Sequence, residues 1–99
     1  MAQDDKITVL NPVGYPPKVT HKSLAPRLAA LGDKKIYIVD CRFDDSEILL
    51  KQIQAWFDER MPSVRTAFRR ISSVYLKDDP TTWEEIKANG DAAIIGVGH

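Results

Sequence analysis

Two short stretches of the sequence carry side chains suited to binding or catalysis. Asp40, Cys41 and Arg42 directly follow an apolar run at residues 36–39 that is typical of a buried strand. A second apolar run, residues 92–95, leads into a glycine-rich turn at residues 96–99. In open parallel sheets, ligands bind outside the carboxyl ends of the strands. The sequence therefore predicts a small-molecule site that unites the two stretches.

Each candidate side chain has a chemical role and an ordinary structural alternative. Asp40 is a candidate catalytic carboxylate and Arg42 a candidate ligand-binding group, whereas the alternative is a solvated turn with a weak ion pair. Gly96 and Gly98 would allow the backbone to approach a ligand closely. His99 is a candidate catalytic base beside them, and the alternative is a terminal residue without a role.

The remaining candidates follow from the first apolar run, residues 7–10. It ends at Asn11 and Pro12, which we expect at the same edge of the sheet as Asp40 and count as ligand-binding. Cys41 is a candidate nucleophile, although a free cysteine is more often an inert small hydrophobe. One cysteine and two histidines at unconnected positions make no metal signature, so we assign no metal ligands.

The elements that must position these residues alternate along the chain. Residues 7–10, 36–39, 64–68 and 92–95 read as strands, and three helices are expected to begin near Ser23, Asp44 and Thr81. The pairs Asp44/Glu47 and Thr81/Glu84 have capping-box spacing. This order, β-α-β-α-β-α-β, predicts a three-layer α/β fold with a mostly parallel, four-stranded sheet, a Rossmann- or flavodoxin-like half. We expect a flexible N-terminus at residues 1–6 and a single α/β domain at residues 7–99.

Composition excludes several classes of protein. The 99 residues contain 14 basic and 14 acidic side chains, which argues against a dedicated nucleic-acid binder. No apolar run approaches the roughly 20 residues of a membrane helix. The first residues, MAQDDK, lack the apolar core of a secretory signal, and a single cysteine excludes an internal disulfide. We therefore expect a cytoplasmic protein that binds neither nucleic acid nor membrane.

The last predicted strand indicates a protein partner. It contains nothing polar between Ala92 and Ile95, which is typical of a central strand with a neighbour on each side. An exposed edge strand more often carries charge or proline. We expect the missing neighbour to come from another chain or from a C-terminal continuation of this one.

Three sequence segments together resemble the amino-terminal half of the UGSC-like family. They are VLNPVG, LAPRLAALGDKKIYIVD and GDAAIIGVGH. Members of that family are similar to thiol or selenol enzymes, and their redox motif pairs a cysteine or selenocysteine with a second cysteine after the last of these segments. Here that motif would begin after His99. The resemblance therefore implies a small subunit or fragment of a split enzyme, whose partner chain carries the Cys-rich redox motif and holds most of any metal ion.

A second function remains open on the residues alone. The chain could be a non-catalytic α/β module that binds a small anion or a protein for regulation. Neither a G-x-G-x-x-G fingerprint nor clustered carboxylates follow the first predicted strand, so dinucleotide-binding and receiver-like versions of this module are disfavoured.

Overall fold

Three parallel strands and two helices position the candidate residues. The computed structural model describes residues 5–74 and 76–98. The elements follow in the order β1 (Lys35–Asp40), α1 (Ser46–Arg60), β2 (Arg65–Arg70), α2 (Pro80–Asn89) and β3 (Ala92–Gly96). The sheet order is β2-β1-β3, and β1 is parallel to both neighbours. The predicted α/β class with a parallel sheet is confirmed.

The two helices cover opposite faces of the sheet because successive side chains of β1 alternate between them. Ile36 and Ile38 pack with Leu50 and Phe57 of α1 and with Val64. Tyr37 and Val39 of β1 point to the opposite face. There they form a second cluster with Ile71 and with Trp83 and Ile86 of α2. The central strand is therefore buried on both faces, which explains its continuous apolar run.

The helices begin at other residues than the capping patterns predict. Asp45 precedes α1 at φ 60° and makes no side-chain capping bond, so the predicted Asp44/Glu47 box does not form. In α2, Asp79 is the cap and its side chain accepts a hydrogen bond from Thr82 N. Pro80 occupies the first turn, where its missing N–H costs nothing and its fixed φ suits a helix. This proline displaces the predicted Thr81 cap by two residues.

The predicted first strand and first helix are wrong. Residues 7–10 form no strand, and Ile7, Val9 and Leu10 are 85%, 76% and 93% exposed. No helix forms after Ser23, and Leu24 is 93% exposed. A short amphipathic segment is marginal unless its apolar face packs on something. In the part of the chain that the structure describes, residues 7–10 and Leu24 stay exposed, and the sheet has three strands instead of four.

The last strand has a neighbour on one side only within the described sheet, and its predicted second neighbour from outside these residues stays a prediction. β1 is the central strand, and β3 lies at an edge of the sheet, paired only with β1 among the described residues. Ile95 on β3 is 56% exposed. Neither helix in the described ranges combines the length and apolar character needed to cross a membrane.

Candidate functional site

A crevice opens where β1 and β3 end. Its volume is about 330 Å³, and its lining consists of Arg42, Phe43, Asp44, Val97 and Gly98. The strand that follows β1 in the chain, β2, lies on one side of it, and the next strand, β3, lies on the other side. The crevice therefore lies where the strand order reverses. Ligands of open parallel sheets bind at this kind of position. The volume is at the lower end of the range for small-molecule pockets.

Asp40 is the last residue of β1 and is completely buried beneath this crevice. Its Oδ1 accepts hydrogen bonds from Ser46 Oγ at 2.5 Å and from Arg42 N at 2.8 Å. Its Oδ2 lies 3.1 Å from Arg70 Nε, an ion-pair distance. That contact lacks hydrogen-bond geometry, so Oδ2 has no hydrogen-bond donor within the described ranges. A buried carboxylate is costly unless it is paired, and these contacts supply the pairing.

Ser46 joins the three elements that meet at the crevice. It is the first residue of α1 and is 1% exposed. Besides donating to Asp40, its hydroxyl accepts a hydrogen bond from Val97 N at 3.2 Å and lies 3.3 Å from Gly96 O. Sequence reasoning missed this residue, because a serine at a helix start has many ordinary explanations. Its role depends on the return of β3, fifty residues later in the chain.

Arg42 presents its side chain at the rim of the crevice. Its backbone is left-handed, with φ 67°, and its N–H bonds the Asp40 carboxylate two residues earlier. Its Nε donates to Ile71 O at 2.5 Å. A non-glycine residue at positive φ is uncommon, and the Asp40 contact helps to hold this conformation. The exposed guanidinium is therefore held beside the crevice by two anchored atoms.

Cys41 is anchored through its backbone, and its thiol is not activated. Its N–H donates to Gly96 O at 2.7 Å, which extends the β1–β3 ladder by one residue. Burial, and secondarily the negative charge of Asp40, raise the pKa of the Cys41 thiol above its ordinary value. Since the thiolate is the nucleophile, this environment favours the inert alternative at neutral pH.

The structure brings four of the predicted site residues together and separates two. Asp40 lies opposite Gly96 in the β1–β3 register, and Arg42 and Gly98 line the crevice. The expected position of Asn11 and Pro12 beside them is wrong, because residues 7–10 form no strand to carry them there.

Asn11 and Pro12 instead lie in an exposed turn of the N-terminal segment. Gly14 N donates to Asn11 O at 3.2 Å, and Val13 N donates to Asn11 Oδ1 at 3.0 Å. A second cavity of about 320 Å³ lies at this turn, lined by Leu10, Asn11, Gly14 and Tyr15. The predicted base, His99, lies outside the described residues. Within residues 5–74 and 76–98, no group of three His, Cys, Asp or Glu side chains is arranged to hold a metal ion.

A comparison with models of protein families finds a match. The model of the UGSC family matches residues 8–99, which is nearly the whole chain. Neither curated proteins nor solved structures give a match.

Proposed function

The chain belongs to the UGSC family, and from this membership and the crevice we propose that it is the substrate-binding part of an enzyme whose reactive groups lie on a second polypeptide. The crevice between β1 and β3 binds a small molecule. A partner chain brings the Cys-rich redox or metal-binding motif against it and holds most of any metal ion. We further propose that the complex works in the cytoplasm.

The observation that carries this proposal is the Asp40–Ser46–Val97 connection beneath the crevice. One buried hydroxyl bonds both the carboxylate at the end of β1 and the backbone after β3. A loop held from below in this way is pre-organised, so little conformational freedom is lost when a ligand binds above it. Buried polar groups that hydrogen-bond one another at the carboxyl ends of parallel strands are typical of a binding site rather than of a plain turn.

The lining supports an anionic substrate group. Arg42 offers a guanidinium whose geometry suits a carboxylate or phosphate. Asp40 is completely buried, so it acts on the ligand through Arg42 and Ser46 as a positioning residue. Asp44, on the same rim, would repel a second negative charge in the ligand.

The strand order also bears on the type of fold. The order β2-β1-β3 is the one with which flavodoxin-like sheets begin, and their ligands bind between the strands that correspond to β1 and β3. We propose on this ground that the domain is flavodoxin-like rather than Rossmann-like, with its ligand at the same relative position.

A titration with simple anions tests the binding half of this proposal. Acetate and inorganic phosphate are added separately to the isotopically labelled full chain, and amide shifts are followed by NMR. We expect saturable shifts at Arg42, Val97 and Gly98. Arg42→Gln should abolish them, whereas Arg65→Gln, at the opposite end of the sheet, should not. Equal shifts in wild type and Arg42→Gln would contradict an anion site.

The second half is tested on the native complex from the source cells. Native mass spectrometry should show a second polypeptide that contains a pair of nearby cysteines, and alkylation of those cysteines should abolish the activity of the complex. Full activity of this chain without any other polypeptide would overturn the proposal that the reactive groups lie on a second polypeptide.

The alternative, a non-catalytic binding or regulatory module, fits one observation as well as the split enzyme does. The pKa of the only cysteine is raised rather than lowered, so this chain supplies no activated thiol of its own. The same anion titration applies to this function. A thiol-bearing partner distinguishes the two functions. Only an enzyme subunit should form a complex with it that turns over a substrate.

A further inference from the structure

The chain exposes much more surface than a compact protein of its mass. Its accessible surface is 8690 Å². A compact monomer of 11.2 kDa is expected to expose about 5700 Å², which leaves an excess of about 3000 Å². A standard interface buries about 800 Å² on each partner, so the excess is more than a stable dimer needs. The radius of gyration, 21.0 Å, also exceeds the roughly 13 Å of a compact chain of 100 residues.

The excess surface is concentrated in residues 5–32, which we call the N-terminal arm. Seven large apolar side chains of the arm are at least 70% exposed, namely Ile7, Val9, Leu10, Val13, Tyr15, Val19 and Leu24, whereas Leu28 and Leu31 are 38% and 37% exposed. The arm is not an unrelated tail, because the family match begins at residue 8. Residues 7–10, Ile-Thr-Val-Leu, have the composition of a strand buried on both faces.

The open edge of β3 offers what the arm lacks. Its outer edge has no strand partner among the described residues, and the side chain of Ile95 on this strand is 56% exposed. An apolar open edge is a template for another strand. The pairing of residues 7–10 with this edge would satisfy the backbone groups of both segments and bury their apolar side chains.

Charge favours the same contact. The described arm carries four basic residues, Lys6, Lys18, Lys22 and Arg27, against one acidic residue, Asp5, and is therefore net positive. Residues 33–98 carry ten basic and twelve acidic side chains and are net negative. Opposite net charge raises the rate and specificity of association between the two parts.

Stiffness of the arm indicates which chain it meets. Pro12, Pro16 and Pro17 follow the apolar run 7–10, and proline-rich segments are extended, semi-rigid spacers. In the single chain the arm lies off its own sheet. We propose that the arm docks on β3 of a second copy, so that two chains exchange arms and form a closed, two-fold symmetric dimer. This dimer depends on the sheet edge alone and stands whether or not the crevice binds a substrate.

The oligomeric state of the full chain tests the exchange. Light scattering after size exclusion should give about 22 kDa, twice the 11.2 kDa of the chain. The double variant Ile7→Asp with Val9→Asp should raise the dissociation constant of the dimer about 100-fold, because two carboxylates would be buried without partners. Leu76→Asp changes an exposed apolar side chain outside the arm and should leave the dimer unchanged.

Cross-linking between two differently substituted chains tests the contact itself. Full chains with Leu10→Cys are mixed with full chains with Ile95→Cys, both carrying Cys41→Ser, and a short bismaleimide is added. We expect a covalent heterodimer, and a much lower yield when Leu76→Cys replaces Leu10→Cys. A monomeric mass at all concentrations, or equal yields from both mixtures, would overturn the exchange. A chain that carries both cysteines and cross-links only within itself would also overturn it.

Discussion

Ser46 Oγ lies 2.5 Å from Asp40 Oδ1, and both side chains are buried, at 1% and 0% exposure. This distance lies at the short end of the range for hydrogen bonds between a hydroxyl and an oxygen. The same hydroxyl accepts a hydrogen bond from Val97 N, so a single atom connects the ends of β1 and β3 to the start of α1. The shape of the crevice therefore depends on a residue that does not line it.

Ser46→Ala should lower the free energy of unfolding by about 1–3 kcal/mol, because buried Asp40 Oδ1 and Val97 N each lose a partner. Urea unfolding followed by circular dichroism measures the change. Ser63→Ala, at an exposed serine, is the control and should stay within about 0.5 kcal/mol of wild type. Equal stability of the two variants would show that the hydroxyl is not needed.

Gly90→Ala should destabilise the protein by about 1–3 kcal/mol through overpacking. An added Cβ would lie 2.7 Å from Tyr37 Cδ2 and 2.9 Å from Ile86 O, and the Tyr37 ring is buried and cannot move aside easily. Gly98→Ala is the matched control, because no atom lies within 4 Å of its added Cβ. Thermal unfolding of both variants decides the question, and an unchanged melting temperature for Gly90→Ala would contradict the close packing.

Cys41 should react with iodoacetamide at neutral pH more slowly than free cysteine does, because its thiol pKa is raised by burial and by Asp40. Mass spectrometry of timed samples measures the rate. Asp40→Asn removes the negative charge and should speed the reaction in protein that is still folded by circular dichroism. A rate above that of free cysteine would indicate an activated thiol instead.

Acid should weaken the contribution of Asp79 to the free energy of unfolding. Hydrogen bonds from Thr82 and Ser72 lower the pKa of its carboxyl below the ordinary value. The folded-state pKa is thus below that of the unfolded chain, so this stabilisation is fully present above an unfolded-state pKa of about 3.9 and is lost as the pH falls through the folded-state value.

Urea midpoints measured from neutral pH to pH 2 test this sign. The difference between wild type and Asp79→Asn should be constant above the ordinary aspartate pKa and should shrink below it. Thr82→Val removes the largest cause of the shift and should reduce the pH-dependent part of wild-type stability. Parallel curves for wild type and Asp79→Asn would contradict the assignment.

Local pattern was sufficient for the elements that pack on one another. The apolar run 36–39 became β1 (Lys35–Asp40), the predicted third strand at 64–68 became β2 (Arg65–Arg70), and the helix before Pro62 became α1 (Ser46–Arg60). These segments pack against elements that are near them in the chain. Their hydrophobic periodicity therefore matches the faces that become buried. Because parallel strands end at one edge, the meeting of Asp40 with Gly96 could also be predicted.

The same kind of pattern failed in the N-terminal arm. Residues 7–10 and the segment after Ser23 have the composition of a strand and a helix, but Ile7, Val9, Leu10 and Leu24 are at least 76% exposed. Composition specifies what a segment can form, and burial decides whether it forms, since short elements are marginal alone.

The sequence by itself determined the α/β class, the parallel strands and the edge at which Asp40, Arg42 and Gly96 meet. Only the tertiary structure decided that β1 lies between the other two described strands, and that Ser46 holds the crevice together. The strand order depends on which strand buries the most surface between the helices. That burial is a property of the whole folded domain and not of any one segment. The role of Ser46 depends on a contact across fifty residues, which no local spacing encodes.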